Sequence, residues 1–212
     1  MTSKDGGTER DLILKAMGSR FACKKYLPQA LEESEIEYIM ECGRLSPSSF
    51  GLEPWTFCAV TDRKLLASLG EACFGQEAVS TSALAVCILV EREKSFEPGS
   101  AFLLGRAERF PGGYPVFLAD YVGYYEFLRS QGRLLSWSRA QSYIAAANMM
   151  TGAKAAGIDS CAIEGYEEDE VLEILGAQPA EKAVGLIVAF GRGGEAPREK
   201  IRMPLEDLVL RL

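Results

Sequence analysis

Apolar positions along the chain follow two kinds of spacing. Residues 83–90 (ALAVCILV) and 183–190 (AVGLIVAF) are apolar without a break. Runs of that kind predict strands covered on both faces, and helices must supply the cover. Residues 55–60 (WTFCAV) are aromatic and β-branched enough for a further strand, and residues 159–163 for a short one. Elsewhere the spacing is helical. Residues 11–18 (DLILKAMG) read as a short amphipathic helix. Residues 32–45 read as a second, with Ile36, Ile39, Met40 and Leu45 about one turn apart and Gly43 near its end. Asp62 is placed to cap a helix running through Leu69. Residues 138–156, rich in alanine and methionine, predict a long helix buried all round and stopped at Gly157, with side chains small enough for close helix–helix approach. Residues 167–175 read as one more helix.

Residues 92–116 read as loop, since Pro98, Gly99, Gly105, Pro111, Gly112, Gly113 and Pro115 punctuate them. An aromatic stretch, 117–127, follows. The chain from Pro197 onward reads as irregular. Strands separated by helices predict an α/β or α+β fold.

Composition narrows the chemistry. Of 212 residues, 48% are apolar and 25% charged, which is a globular composition and excludes a disordered chain. A net charge of -7 argues against nucleic acid as a partner. Histidine is absent, which excludes Ser-His-Asp and Cys-His catalysis and H-E-x-x-H zinc sites. The cysteines at 23, 42, 58, 73, 87 and 161 form no C-x-x-C pair, so no metal site is expected, and they read as free thiols of a reducing cytoplasm. The polar start MTSKDGGTERD is not the apolar core of a signal peptide, and residues 1–10 read as a tail. The longest apolar run is too short to cross a bilayer as a helix, so no membrane partner is expected.

Four segments carry candidate chemistry. Residues 20–26 (RFACKKY) bring three cations just after a helix. Residues 46–55 (SPSSFGLEPW) put serines and a glycine between a helix and a strand, where backbone can approach a flat ligand and hydroxyls can donate to its oxygens. Residues 162–166 (AIEGY) run from a short strand into Glu-Gly, where backbone N–H groups are free to point at a ligand. In residues 197–204 (PREKIRMP), Lys200 and Arg202 alternate and share one side of an extended segment. Each segment taken singly is equally an ordinary charged turn, loop or tail.

Together and in this order they resemble the nitroreductase family of FMN-dependent oxidoreductases, over nearly the whole chain from about Leu12. The resemblance implies one α+β domain, a mainly antiparallel central sheet flanked by helices, in an obligate homodimer with two FMN sites between subunits. It implies that Arg20, Lys200 and Arg202 hold the FMN phosphate. Lys24 would reach the flavin pyrimidine, with Gln76 nearby. Pro47, Ser48, Ser49 and Gly51 would form a loop reaching the partner's flavin. Ile163, Glu164 and Gly165 would bring backbone N–H to flavin N5. The sequence departs from the family pattern in having Ala22 for serine, Gly51 for asparagine, Glu53 for glutamine and Ala162 for proline. Residues 92–127 are expected to wall the acceptor site, with Tyr124 or Tyr125 stacking on the acceptor. The implied activity is NADH- or NADPH-dependent reduction of nitroaromatics, quinones or similar electron-poor molecules. An FMN store or sensor, a dehalogenating or flavin-cleaving relative, and a flavin-free acidic interaction module are the alternatives. The expected setting is cytoplasmic.

Overall fold

A computed structural model describes residues 8–212. The first helix, α1 (Glu9–Ser19), opens with a capping box, in which Thr8 and Asp11 exchange side-chain-to-backbone hydrogen bonds. Thr8, Glu9 and Arg10 are thus cap and helix rather than tail; residues 1–7 of the expected tail lie outside the described residues. Then follow α2 (Glu33–Arg44), β1 (Trp55–Val60), α3 (Arg63–Ala72), α4 (Glu77–Ser80), β2 (Leu84–Glu91), α5 (Ala101–Ala107), α6 (Gly113–Ser130), α7 (Leu134–Ala155), β3 (Asp159–Ile163), α8 (Glu168–Ile174), β4 (Lys182–Gly191) and α9 (Leu205–Leu208). Asp62 caps α3 as expected, its Oδ1 accepting from the N–H groups of Lys64 and Leu65 at 2.9 and 3.0 Å.

The four strands form one antiparallel sheet in the order β1-β2-β4-β3. Period-two alternation explains why β2 is apolar throughout. Ala85, Cys87 and Leu89 face a cluster built with Leu66 and Leu69 of α3 and Val171 and Leu172 of α8. Leu84, Val86 and Ile88 face the opposite way, onto Ile39 of α2 and Ala145, Ala146 and Met149 of α7. The β2–β4 register shifts between Ile88 and Leu89, opposite Gly185. A Cβ at Gly185 would lie 2.6 Å from Ser142 Oγ and 2.8 Å from Val90 Cγ1, so the bulge needs a glycine there.

Helix α7 begins at Leu134, and its turn at Gly157 takes φ +78°. It approaches α2 closely: a Cβ at Gly152 would sit 2.4 Å from Cys42 Sγ. It is not buried all round, however. One face lies on the sheet, and the other leaves Ala140, Tyr143, Ile144 and Ala147 exposed. An uncharged stripe of small and apolar residues is therefore left without cover in the single chain. Helix α1 likewise leaves Leu12, Ile13, Leu14 and Met17 outside, and the chain from Ile201 to Leu212 is exposed at every position.

Residues 92–116 are not loop. They hold a 3-10 turn (Glu93–Phe96), α5 and the start of α6. The glycines and prolines there bound helices instead of preventing them. Ser100 caps α5 through its Oγ, Gly112 takes φ +86° just ahead of α6, and Pro115 falls in the first turn of α6, where its missing N–H has no helical partner to lose. These helices bury a third cluster of their own, with Phe96, Leu103, Phe117, Tyr121, Tyr125 and Leu128 packed on Leu52 and Trp137. No helix among the described residues is long and apolar enough to cross a membrane.

Candidate functional site

The segment after α1 runs beside β3, the sheet's outer strand. Ala22 bridges Ser160 in parallel, Cys23 donates its N–H to the Ser160 carbonyl at 3.2 Å, and Tyr26 bridges Gly193. Arg20 ends α1 at one end of this segment. The tail brings Lys200 and Arg202 to the same corner. Burial first, and the nearby charges of Arg20 and Arg202 second, push the Lys200 ammonium below the usual lysine range. A chain of net charge -7 thus gathers three cations where they repel one another. Such a corner is ready-made for a multiply charged anion.

Beyond it, Lys24 Nζ donates to Cys161 Sγ at 3.2 Å, and its backbone N–H donates to Glu195 Oε2 at 2.6 Å. The end of β3 then leads to Glu164 and Gly165. Ile163 is buried under them, and the Glu164 carboxylate accepts from Tyr143 Oη at 2.9 Å. Gln76 Nε2 donates to the Gly165 carbonyl at 3.1 Å, while the Gly165 N–H has no acceptor among the described residues. Arg20, Ala22, Lys24, Gln76, Ile163, Glu164, Gly165, Lys200 and Arg202 therefore share the β3 side of the molecule.

Pro47, Ser48, Ser49 and Gly51 do not join them. Their loop enters β1, at the opposite edge of the sheet. Three strand spacings separate the edges, roughly 14 Å. Within the loop, Ser48 Oγ accepts from the Glu53 N–H at 2.8 Å, and the Ser49 N–H donates to Gln141 Oε1 at 2.9 Å. Phe50, Gly51 and Glu53 all have positive φ. The Phe50 ring lies against α6, with centroids 5.4 Å from Tyr121 and 5.6 Å from Tyr124.

The two tyrosines expected at the acceptor wall part ways. Tyr125 is core: it is buried, and its ring stacks on Tyr121 at 5.9 Å. Helical spacing puts it one turn from Tyr121, on the face packed beneath the wall. Tyr124 keeps an exposed face beside Phe50.

Other features near these groups depend on tertiary packing. Phe74 is 63% exposed, has φ +59°, and places its ring 3.3 Å from where a Cβ on Gly165 would stand. Its position in the turn Cys73–Phe74–Gly75 carries no pattern that marks it. Glu53 and Arg109, 56 residues apart, meet only through the fold. The cysteines are free, and burial raises the thiols of Cys23, Cys42, Cys58, Cys73 and Cys87, with Cys73 pushed up to about 11. No group of His, Cys, Asp and Glu suited to a metal ion occurs among the described residues.

The Nitroreductase family profile matches residues 17–192, most of the chain. The chain belongs to the nitroreductase family. It is 33% identical over 211 residues to a provisionally named NAD(P)H nitroreductase, SH0546 of Staphylococcus haemolyticus, covering 94% of this chain and 97% of that protein. To the similarly named YfkO of Bacillus subtilis it is 34% identical, covering 93% and 96%. The fold also superposes on a provisionally named nitroreductase of Exiguobacterium sibiricum, solved in complex with FMN, at a TM-score of 0.72 and 23% identity over 100% of both chains. The antiparallel sheet with helices on both faces is thus the nitroreductase α+β fold.

Proposed function

We propose that this nitroreductase-family protein is an FMN-dependent oxidoreductase. It uses NADH or NADPH to reduce flat, electron-poor acceptors such as nitroaromatics and quinones, and it works as a homodimer. The observation that carries the reading is the corner of Arg20, Lys200 and Arg202, where a lysine's proton is destabilised by burial and by its neighbours' charges. A nearly dianionic phosphate relieves that repulsion, and each charge-assisted contact is worth about 1.5–3 kcal/mol. FMN fits the remaining donors as well as the corner. Lys24, beside Cys161, would face the pyrimidine edge and favour the negative charge that accumulates there on reduction. The Gly165 N–H, with no acceptor among the described residues, would donate to the flavin, and Gln76 holds the same residue by its carbonyl.

Bound there, FMN would supply hydride transfer from reduced nicotinamide to the acceptor. The protein's share is to hold and orient, so a chain without histidine is equal to the task. The 47–51 loop, at the far edge of the sheet, would reach a flavin held by a second copy. Tyr124, which packs on Phe50 of that loop, would travel with it. The exposed stripe of α7 and the exposed apolar side chains of the tail provide surface for that second copy.

Initial rates measured while both NAD(P)H and a quinone are varied test the reading. Parallel double-reciprocal lines are expected for alternating half-reactions at one site. A protein that binds FMN without NAD(P)H turnover would instead be a store or sensor.

A further inference from the structure

The loop that enters β1 is fastened to the α5–α6 wall by charge on one side and by aromatic packing on the other. Arg109 Nη1 donates to both oxygens of Glu53, at 3.1 and 3.2 Å, and its Nη2 donates to the Gly51 carbonyl at 3.2 Å. Arg106 Nη1 lies 3.5 Å from the same carboxylate, and its Nη2 donates to the Glu53 carbonyl at 3.3 Å. Two guanidinium groups thus grip one carboxylate and two loop carbonyls. Phe50 packs on Phe117, Tyr121 and Tyr124, and Leu52 is fully buried in the wall's core. Glu53 also donates its N–H to Ser48 Oγ, so its position is transmitted to the serine loop. It does this at φ +47°, a conformation a glutamate adopts only when its surroundings hold it there.

We propose that Glu53 is a positioning residue for the acceptor site. It is a charged latch between the 47–51 loop and the α5–α6 wall, so that Ser48 and Tyr124 are presented as one unit. A solitary exposed ion pair adds little to fold stability. Orientation is another matter: Arg106, Arg109, Glu53 and Ser48 form a continuous chain of contacts that adds a directional tie to the apolar packing of Phe50 and Leu52. Without the carboxylate, the wall loses its charged tie to the loop and, beside that packing, keeps only the arginine contacts to the carbonyls of Gly51 and residue 53. Without Arg109, Arg106 still holds Glu53, so the effect is smaller.

Hydrogen exchange on the full-length protein tests the latch without any assumption about activity. Glu53→Ala is expected to speed amide exchange about fivefold or more both in residues 47–53 and in residues 101–113, and Arg109→Ala to do so more weakly in the same two segments. Faster exchange in 47–53 alone would overturn the proposal. The second arm rests on the oxidoreductase reading. Glu53→Ala should raise the Michaelis constant for a flat quinone about fivefold, with kcat changed less. High salt should raise that constant in the unmodified protein and leave the variant unmoved, because the ion pair is what salt screens. A salt response equal in both would overturn the latch. Glu53→Gln, which keeps one acceptor oxygen and the side chain's bulk, should restore part of the difference and serves if the alanine variant fails to fold. No NAD(P)H turnover in the unmodified protein would defeat the oxidoreductase reading and leave the exchange arm to decide the latch.

Discussion

Gln76 and Gly165 are joined by a 3.1 Å hydrogen bond from the side-chain amide of one to the backbone carbonyl of the other. The bond ties the turn ahead of α4 to the end of β3, across 89 residues of sequence. It holds Gly165 by its carbonyl, while the Gly165 N–H has no acceptor among the described residues. Gln76→Leu removes the donor and keeps the bulk. It should weaken FMN binding about three- to tenfold, about the loss of one neutral hydrogen bond, with the melting temperature little changed. Flavin fluorescence titration of the apoprotein reads the first, and a thermal scan the second. Unchanged affinity would mean that the Gly165 peptide does not meet the cofactor.

The cation corner makes a sharper prediction. Lys200→Ala and Arg202→Ala should each weaken FMN binding by about tenfold or more, from about 1.5–3 kcal/mol per charge-assisted contact. The pH dependence follows from the sign of the lysine's shift. Because the free protein's Lys200 loses its proton below the usual lysine range, FMN affinity should begin to fall at a lower alkaline pH than an ordinary lysine would cause. Lys200→Arg should abolish that fall, since guanidinium keeps its proton. Binding isotherms across alkaline pH for the two proteins decide it, and identical profiles would count against Lys200.

Two adjacent tyrosines should behave oppositely. Tyr125 is buried against Tyr121, so Tyr125→Ala should cost about 3–5 kcal/mol of stability by urea unfolding. Tyr124→Ala should leave stability nearly unchanged and raise the Michaelis constant for aromatic acceptors, with FMN content intact. If Tyr124→Ala leaves acceptor kinetics alone, α6 is not the wall.

The uncovered stripe of α7 bears on assembly. Ile144 is 39% exposed in the single chain and stands beside Tyr143 on that stripe. Ile144→Glu puts a charge on it and should convert a homodimer into a monomer by light scattering, with weaker FMN binding, since each flavin then loses the partner's 47–51 loop. An unmodified protein that is already monomeric at micromolar concentration would contradict the shared site.

Much of this was legible in the sequence, for physical reasons. Strands β2 and β4 announced themselves because both their faces are buried. Strand β1 was found at its true bounds, as its aromatic and β-branched residues suit a sheet. Residues 92–116 were misread because glycine and proline are ambiguous: the same residues that break a helix also start and stop one, and only Ser100 and Gly112 in place show which. The cations at 20, 200 and 202 could be named from motif order, but their convergence is tertiary. The opposite settings of Tyr124 and Tyr125 follow from helical geometry, which sets Tyr125 one turn from Tyr121 and leaves its neighbour more exposed. Phe74 and Arg109 left no trace in local pattern, and Glu53, visible as a departure from the family loop, gave no sign of its partner, since a positive φ in Phe74 and a contact spanning 56 residues are decided by packing.

That the protein holds FMN and passes electrons through it is tested by the visible absorbance spectrum of the purified full-length protein, followed through anaerobic addition of NADH or NADPH and then of a quinone. A flavin spectrum equivalent to one FMN per chain is expected, bleached by the reduced nicotinamide and restored by the acceptor. A colourless protein that takes up no added FMN would contradict it.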